Sequence, residues 1–251
     1  MTASEEVLDR GLSADIADFI RGPHGHEIGD MIDRLSPVGN CAIFGGLARD
    51  FAREGRDAFK SDVDIVVHGL PGVLDALLSQ MSGRRNQFGG YRLEYGRFDF
   101  DIWPLQMTWA ARVGHVKVRS LTDLARTTFF DCDAVLFDCR TLEISRSDRF
   151  WTSIGQGIVD INLEPNPNYI GTLVRTLRIL FDKKQKLAPR LARYLARGVE
   201  GSRKDIMDYA ARDRRPIGSA TEIDLGNALV SWRAKALEEV VCHEFPTPIN
   251  I

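Results

Sequence analysis

The chain has 251 residues, of which 44% are hydrophobic and 27% charged, and its formal net charge is −2. Such a composition is ordinary for a soluble globular protein, and a chain of this size buries roughly three quarters of its unfolded surface without help from disulfides. The near-neutral charge excludes a polycationic nucleic-acid-binding protein, so any phosphate-binding surface must be local.

Cysteine usage and the N-terminus indicate a reduced, cytoplasmic protein. None of the four cysteines belongs to a CxxC pair, and no histidine lies at zinc-binding spacing, so we expect neither disulfides nor structural zinc. The acidic N-terminus does not resemble a signal peptide. No apolar run approaches the roughly 18 residues of a membrane span, so no membrane association is expected.

Hydrophobic periodicity predicts helices and strands in the N-terminal part of the chain. Residues 4–36 are predicted as two helices, because Ile16, Phe19 and Ile20 share one helical face and a Gly/Pro break follows them. Further helices are predicted over 47–53, 71–82 and 121–127. Strands are predicted over 38–44, 62–68, 91–95, 98–103, 134–137 and 141–144.

The character of the sequence changes to nearly all helix after Asn168. Helices are predicted over 169–185, 187–198, 203–213 and 221–241. The linker before them contains Pro165 and Pro167, which favours a boundary there. We therefore predict N-terminal helices (1–36), an α+β domain (37–164) and a helical domain (165–251).

Two aspartates mark the strand DVDIVVH. Asp62 and Asp64 are two residues apart, so both side chains point to one face of the strand. Carboxylates that close repel each other by roughly 3 kcal/mol at an effective dielectric of about 20. A divalent cation removes this penalty, and Mg²⁺ prefers carboxylate and phosphate oxygens. A lone DxD pattern is more often a solvated or capping pair, so further residues have to support the metal.

A third carboxylate is expected from the strand FDFDIWPL. Asp99 and Asp101 face the same side of it, and Asp101 is favoured because it begins the final apolar stretch, with Asp99 as the alternative. Three such carboxylates would hold two Mg²⁺ ions, with Mn²⁺ as a substitute, about 3.5–4 Å apart. In such a site one ion activates a hydroxyl and both stabilise the reacting phosphorus.

Gly45 and Gly46 lie between a predicted strand and a predicted helix. Glycine lets the backbone approach a phosphate closely, and a helix N-terminus favours anions. Fifteen residues separate this pair from Asp62. A Gly-Gly turn, a DxD strand and a further strand carboxylate, in this order, indicate a nucleotidyltransferase.

These motifs resemble the head domain of bacterial-type (class II) CCA-adding enzymes and poly(A) polymerases, a branch of the DNA polymerase β superfamily. GGLARD followed by SDVDIVV is similar to the GGxVRD and DxD motifs of that family. The resemblance implies an α+β fold, with a mixed sheet and helices, followed by an all-helical C-terminal domain. It also implies that Asp62 and Asp64 bind metal, and it assigns a set of nucleotide-binding residues: Gly45, Gly46, Arg49, Asp50 and Ser61.

The resemblance continues into the helical region. TLVRTLRILFDKKQKL (172–187) is similar to the helix that leads into the family's neck domain, where Arg175 and Arg178 match two arginines and Phe181 replaces a third. These arginines are expected to contact the nucleotide or to brace the neck.

The chain also departs from the family pattern. The RRDFTINAL segment appears only as TTFFDCDAV (127–135), and the EDxxR motif, which selects C or A, is missing. We therefore expect a minimal head and neck without the tRNA-binding body and tail, rather than an enzyme that adds CCA to tRNA.

The expected activity is template-independent transfer of a nucleoside monophosphate from an NTP or dNTP to a hydroxyl acceptor, with release of pyrophosphate. The acceptor would be a short oligonucleotide. Small members of the superfamily in bacterial antiphage or toxin–antitoxin systems suggest a partner protein by analogy. Two alternatives remain open: nucleotidylylation of a small molecule or protein hydroxyl, and an inactive nucleotide-binding or antitoxin-like module.

A basic stretch follows the predicted catalytic domain. Between Arg175 and Arg197 there are eight Lys or Arg residues and only one acid, Asp182. Several of the basic residues recur at helical spacing, as a stripe that could hold a triphosphate or an oligonucleotide backbone. A solvated helix face would show the same pattern.

Overall fold

The computed structural model describes residues 2–59, 62–86, 89–212 and Ile217. They form two compact units. The sheet unit contains the residues up to Gly157 together with Ile161–Asn166, and the helical unit contains Ile158–Asp160 and the described residues from Pro167 onward. None of the described helices is both long and apolar enough to cross a bilayer.

The sheet unit follows the predicted order of helices and strands and adds short elements that the sequence analysis does not predict. Its α-helices are α1 (Ala3–Arg21), α2 (His26–Leu35), α3 (Gly46–Glu54), α4 (Pro71–Gln80), α5 (Trp109–Arg112) and α6 (Phe150–Gln156). Its strands are β1 (Gly39–Phe44), β2 (Val63–Gly69), β3 (Arg84–Arg85), β4 (Tyr91–Tyr95), β5 (Phe98–Pro104), β6 (Val135–Asp138) and β7 (Ile144–Arg146). Short 3-10 helices lie at Arg56–Ala58, Leu105–Met107, Leu121–Arg126 and Asp131–Asp133.

The seven strands form one mixed sheet in the order β3-β4-β5-β2-β1-β6-β7. The β2–β5 pair is parallel, and the other pairs are antiparallel. The β4–β5 hairpin turns at Gly96, whose φ of +60° suits glycine at the first central position of a tight hairpin turn. The predicted α+β fold with a mixed sheet is confirmed.

The two faces of the sheet are covered differently. One face carries the large core, to which β2 contributes Val63, Ile65 and Val67 and to which α1 and α2 also contribute. The opposite face carries a small apolar cluster, in which Val66 of β2 packs with Leu121 and other residues. Because side chains alternate along a strand, Asp64 also belongs to this second face.

The helical unit is built on α7 (Tyr169–Phe181) and α8 (Pro189–Arg212), and α8 is kinked at Ser202. Two short strands, β8 (Ile158–Val159) and β9 (Lys186–Leu187), pair in parallel. Leucines of α7 and α8 form the core of this unit together with Ile217. The predicted helix over 221–241 lies outside the described residues, and the predicted boundaries of three domains stay a prediction.

Candidate active site

Asp64 and Asp101 lie side by side on neighbouring strands. The parallel β2–β5 pair matches Asp64 with Asp101 and Ile65 with Ile102. Both isoleucines are fully buried in the large core, so both aspartates project from the opposite face of the sheet. The structure therefore places Asp101, rather than Asp99, directly beside Asp64.

Arg92 on β4 brings further aspartates into the same group. Its Nη2 lies 2.7 Å from Oδ2 of Asp62 and 3.4 Å from Oδ2 of Asp99, while its Nη1 lies 3.7 Å from Oδ2 of Asp101. Asp62, Asp64, Asp99 and Asp101 are called the aspartate cluster below. Asp62, Asp99 and Asp101 surround one guanidinium, and Asp64 lies beside Asp101.

The charges of the cluster act on one another. Burial raises the pKa of Asp101; Arg92 opposes this shift, while Asp62 and Asp99 add to it. For Arg92, burial alone would lower the pKa, but Asp101 and Asp62 outweigh it and the pKa is raised. Only 20% of the Asp101 side chain is exposed, whereas Asp62 and Asp99 are 44% and 45% exposed. Of Asp62, Asp99 and Asp101, Asp101 is thus the one for which a further positive charge would matter most.

The aspartates are not arranged as a finished metal site. In the part of the chain that the structure describes, no three His, Cys, Asp or Glu side chains are grouped so that they could hold a metal. Within the aspartate cluster the guanidinium of Arg92 lies among the carboxylates instead. The metal ligands predicted from the sequence therefore stay a prediction, although their oxygen chemistry suits Mg²⁺.

The Gly45-Gly46 turn lies at the end of the sheet where β1 finishes and β2 begins. Ile43 near the end of β1 pairs with Ile65 of β2, so the turn that follows β1 lies beside the residues that begin β2. Gly45 has φ +67° and ψ −101°, and no side chain caps the N-terminus of α3. Its N–H donates to the carbonyl of Val135 at 2.9 Å. The N-terminus of a helix beside this turn is suited to an anion.

Arg49 and Asp50 form a buried ionic network rather than an open phosphate contact. Arg49 Nε donates to Asp50 Oδ1 at 2.8 Å, and its Nη1 donates to Asp133 Oδ1 at 2.5 Å. Burial opposes the charge of Arg49, but Asp133 and Asp50 outweigh it and raise its pKa. The network fixes the start of α3, next to the Gly45-Gly46 turn, to the 3-10 helix Asp131–Asp133, and nucleotide binding by Arg49 and Asp50 stays a prediction.

Arg92 and Asp133 are site residues that the sequence analysis missed. Asp133 lies in TTFFDCDAV, the segment in which the arginines of the family's RRDFTINAL motif are absent. The sequence does contain a signal for these residues, because Asp131 and Asp133 interrupt an otherwise apolar stretch. In the structure both aspartates are buried. Asp131 accepts a hydrogen bond from Ser153 at 3.0 Å.

The other predicted nucleotide-binding residues are placed as follows. Ser61 lies outside the described residues. Arg175 is exposed on α7 of the helical unit, and Arg178 on the same helix is half-buried. Both stay predictions.

Several exposed basic residues of the helical unit lie on α8. Arg190, Arg193 and Arg197 are exposed there, and their spacing places them on one side of the helix. Tyr169, 43% exposed, lies edge-on to Tyr194 with 5.7 Å between ring centroids.

Comparison with known proteins gives structural matches only. No protein-family model matches the chain, and no curated protein matches it. A CCA-adding enzyme in an apo form has a TM-score of 0.55 at 15% identity, covering 88% of this chain and 54% of that one. The Thermotoga maritima CCA-adding enzyme complexed with tRNA has a TM-score of 0.53 at 14% identity, covering 99% and 55%.

A tRNA-processing enzyme with CTP is similar to the same extent. Its TM-score is 0.52 at 17% identity, and the match covers 85% of this chain and 57% of that one. At such identities the likeness shows the fold alone, so the resemblance to the fold of CCA-adding enzymes is confirmed at that level. The chain spans little more than half the length of these solved structures.

Proposed function

We propose that this protein is a template-independent nucleotidyltransferase. It would transfer a nucleoside monophosphate from an NTP or dNTP to a hydroxyl of an RNA or other oligonucleotide acceptor and release pyrophosphate. The observation that carries the proposal is the alignment of Asp64 with Asp101 on parallel strands, with Asp62 drawn to the same group.

The chemistry of the cluster fits a divalent cation. Asp62, Asp64 and Asp101 offer carboxylate oxygens on one face of the sheet, which is the donor type that Mg²⁺ and Mn²⁺ take together with phosphate oxygens. These three residues would hold the metal, two ions in the complete site. When bound, the cations would supply charge neutralisation at the triphosphate and make the attacking hydroxyl more acidic.

The chain's own residues would bind and orient the nucleotide around this group. The Gly45 N–H is held by the carbonyl of Val135, so the triphosphate would lie against the N–H groups of the first turn of α3, beginning with Gly46. Arg49 and Asp50 would hold that turn in place through Asp133. Ser61 would add a contact to the nucleotide, and the roles of Arg175 and Arg178 stay a prediction from the resemblance.

The acceptor that we propose is RNA. One of the solved structures is a CCA-adding enzyme complexed with tRNA, and another is a tRNA-processing enzyme with CTP. An RNA acceptor is the simplest choice for a chain of the same fold. The exposed arginines of α8 would hold its backbone.

Product analysis tests the proposal. The purified protein is incubated with each NTP and dNTP and with Mg²⁺ or Mn²⁺, without and with a short RNA or DNA oligonucleotide, and products are resolved by mass spectrometry. Successive nucleotide additions that Asp64→Asn abolishes are the expected result. A single mass increment on a small molecule or protein would show that the activity is nucleotidylylation and not polymerisation. Absence of product and pyrophosphate, with a tightly copurifying second protein, would favour an antitoxin-like module.

A further inference from the structure

Arg92 has a position that the proposed reaction leaves unexplained. It pairs with Asp101 across the antiparallel β4–β5 hairpin, and Asp101 pairs with Asp64 across β5–β2. The three side chains therefore form a row across three neighbouring strands on one face of the sheet. A permanent cation stands at the end of a row of aspartates that would bind metal.

Arg92 contacts two of the carboxylates that would bind the metal, those of Asp62 and Asp101. Its guanidinium lies within ion-pair distance of Oδ2 of Asp62, Asp99 and Asp101. Three carboxylates face one guanidinium, so the group keeps an excess of negative charge. Arginine does not lose its proton in this environment, because its pKa is far above neutral pH.

We propose that Arg92 is an internal counter-ion of the aspartate cluster, which competes with the divalent cation and leaves the carboxylates when the cation binds. The inference rests on the proposed function, because it takes the aspartates as metal ligands. A guanidinium and a divalent cation repel each other. Each of them therefore weakens the binding of the other to the same carboxylates. Half of the Arg92 side chain is exposed to solvent, which leaves it room to turn away from the sheet.

The competition has two measurable consequences. Without added divalent cation, Arg92 neutralises aspartates that would otherwise repel one another, so its removal lowers the melting temperature. With added cation, removal of Arg92 takes away a competitor, so the cation binds more tightly. A purely structural arginine would give the first effect without the second.

The experiment measures Mn²⁺ binding to the full chain by electron paramagnetic resonance, in the absence of nucleotide. Arg92→Gln is expected to bind Mn²⁺ more tightly than wild type, by about fivefold or more, the range of an ordinary coupling between two sites. Arg92→Lys keeps the charge but not the planar fork, and an intermediate affinity is expected. Melting temperatures with EDTA and with Mg²⁺ should show a larger gain on cation addition for Arg92→Gln than for wild type.

Arg97→Gln is the matched control. Arg97 lies on the same hairpin and is 48% exposed, close to the 50% of Arg92, but it pairs with Glu27 outside the cluster. It changes the net charge by the same amount, so its Mn²⁺ affinity should equal that of wild type. Adding Asp101→Asn to the Arg92→Gln variant should remove the tighter binding.

The outcomes separate this inference from the proposed function. Unchanged or weaker Mn²⁺ binding in Arg92→Gln overturns the inference, as does equal tightening in Arg97→Gln. If wild type and Arg92→Gln both fail to bind Mn²⁺, the aspartates are not metal ligands and both ideas fail. Tighter binding in Arg92→Gln without any nucleotidyl transfer by wild type supports the counter-ion and rejects the proposed function alone.

Discussion

Asp64 and Asp101 are register partners on the two parallel strands of the sheet, and both project from the face opposite the large core. Asp99 lies two residues earlier on β5 and is 45% exposed, whereas Asp101 is 20% exposed. The pair Asp64 and Asp101 therefore has the geometry of a shared site, and Asp99 lies at its margin. The prediction that Asp101 supplies the third carboxylate rests on this difference.

Replacement of these aspartates by asparagine tests the assignment. Asp101→Asn keeps the shape of the side chain but removes its charge, and we expect nucleotidyl transfer to fall on the order of 10²–10³-fold, as for loss of one charge-stabilising group in other enzymes. The rate of nucleotidyl transfer by Asp99→Asn should stay within about tenfold of wild type. A loss of that size is the lower end of the range for residues that support a metal ligand. Pyrophosphate release at saturating NTP measures both. A larger loss in Asp99→Asn than in Asp101→Asn would reverse the assignment.

The glycines at the two ends of α3 offer a second test. Gly45 and Gly55 both have positive φ, +67° and +80°, and neither has a neighbour that a Cβ would strike. Alanine at either position should cost about 1–3 kcal/mol of stability from backbone strain alone. Only Gly45→Ala should also raise the KM for NTP, because only that turn faces the proposed triphosphate. Equal KM values in the two variants would remove the turn from the nucleotide site.

Most of the fold could be predicted from periodicity and turn residues. The strand Val63–Gly69 is β-branched and apolar, and Pro71 begins α4 as a first-turn proline should. The segment 121–127 was predicted as an ordinary helix and is a 3-10 helix at Leu121–Arg126. Over so short a stretch, the spacing of apolar residues alone does not distinguish an α-helix from a 3-10 helix.

The site was harder to predict because its missing members come from pairing between distant segments. Arg92 could have been found by extending the predicted hairpin, since the pairing of Tyr95 with Phe98 sets Arg92 opposite Asp101. No local pattern connects Arg49 with Asp133, which are 84 residues apart in the chain. A buried ion pair of this kind depends on the packing of α3, and sequence spacing carries no information about it.

The ion pair between Arg49 and Asp133 should be essential for stability. Both residues are buried, with 7% and 6% of their surface exposed. Asp133→Asn leaves the guanidinium without one of its two carboxylate partners, and breaking a buried pair costs about 3–5 kcal/mol. Urea unfolding followed by circular dichroism measures the loss.

Glu54→Gln is the control for this experiment. Glu54 also pairs with an arginine, Arg53 at 2.5 Å, but its side chain is 50% exposed. An exposed pair contributes less than about 1 kcal/mol, because water and salt screen it. If both variants lost the same free energy of unfolding, burial would not be what makes the Arg49–Asp133 pair important.

Asp123 gives the protein a pH-dependent contribution to stability. The backbone N–H of Arg119 lowers the pKa of Asp123 most, partial burial opposes this, and Ser120 and Arg126 add to the lowering, so the pKa is about 2. In the unfolded chain the value is about 3.9. A lowered folded pKa stabilises above the unfolded value, and the contribution disappears as the pH falls from about 4 to about 2.

Asp123→Asn tests this contribution. At pH 7 we expect a loss of about 1 kcal/mol, the typical value of a helix N-terminal cap. The difference between variant and wild type should shrink as the pH is lowered toward 3, which urea unfolding at several pH values would show. A difference that stayed constant with pH would mean that the charge of Asp123 contributes nothing and that only its hydrogen-bonding shape matters.

The exposed arginines of α8 provide the last test, of acceptor binding. Arg190, Arg193 and Arg197 lie on one side of the helix, so a triple change to glutamine should weaken binding of a short single-stranded RNA. Each phosphate contact that is lost should reduce the slope of log K against log salt by about 0.7. Fluorescence anisotropy at several salt concentrations measures this slope.

A second triple variant separates a specific contact from general charge. Arg203, Lys204 and Arg212 are also exposed on α8, beyond the kink at Ser202. Their change to glutamine removes the same charge, and we expect it to leave the slope near that of wild type. Equal effects in the two variants would mean that the whole helix attracts RNA without a defined path. An unchanged slope in both would make the stripe a solvated helix face, and the acceptor would have to bind elsewhere.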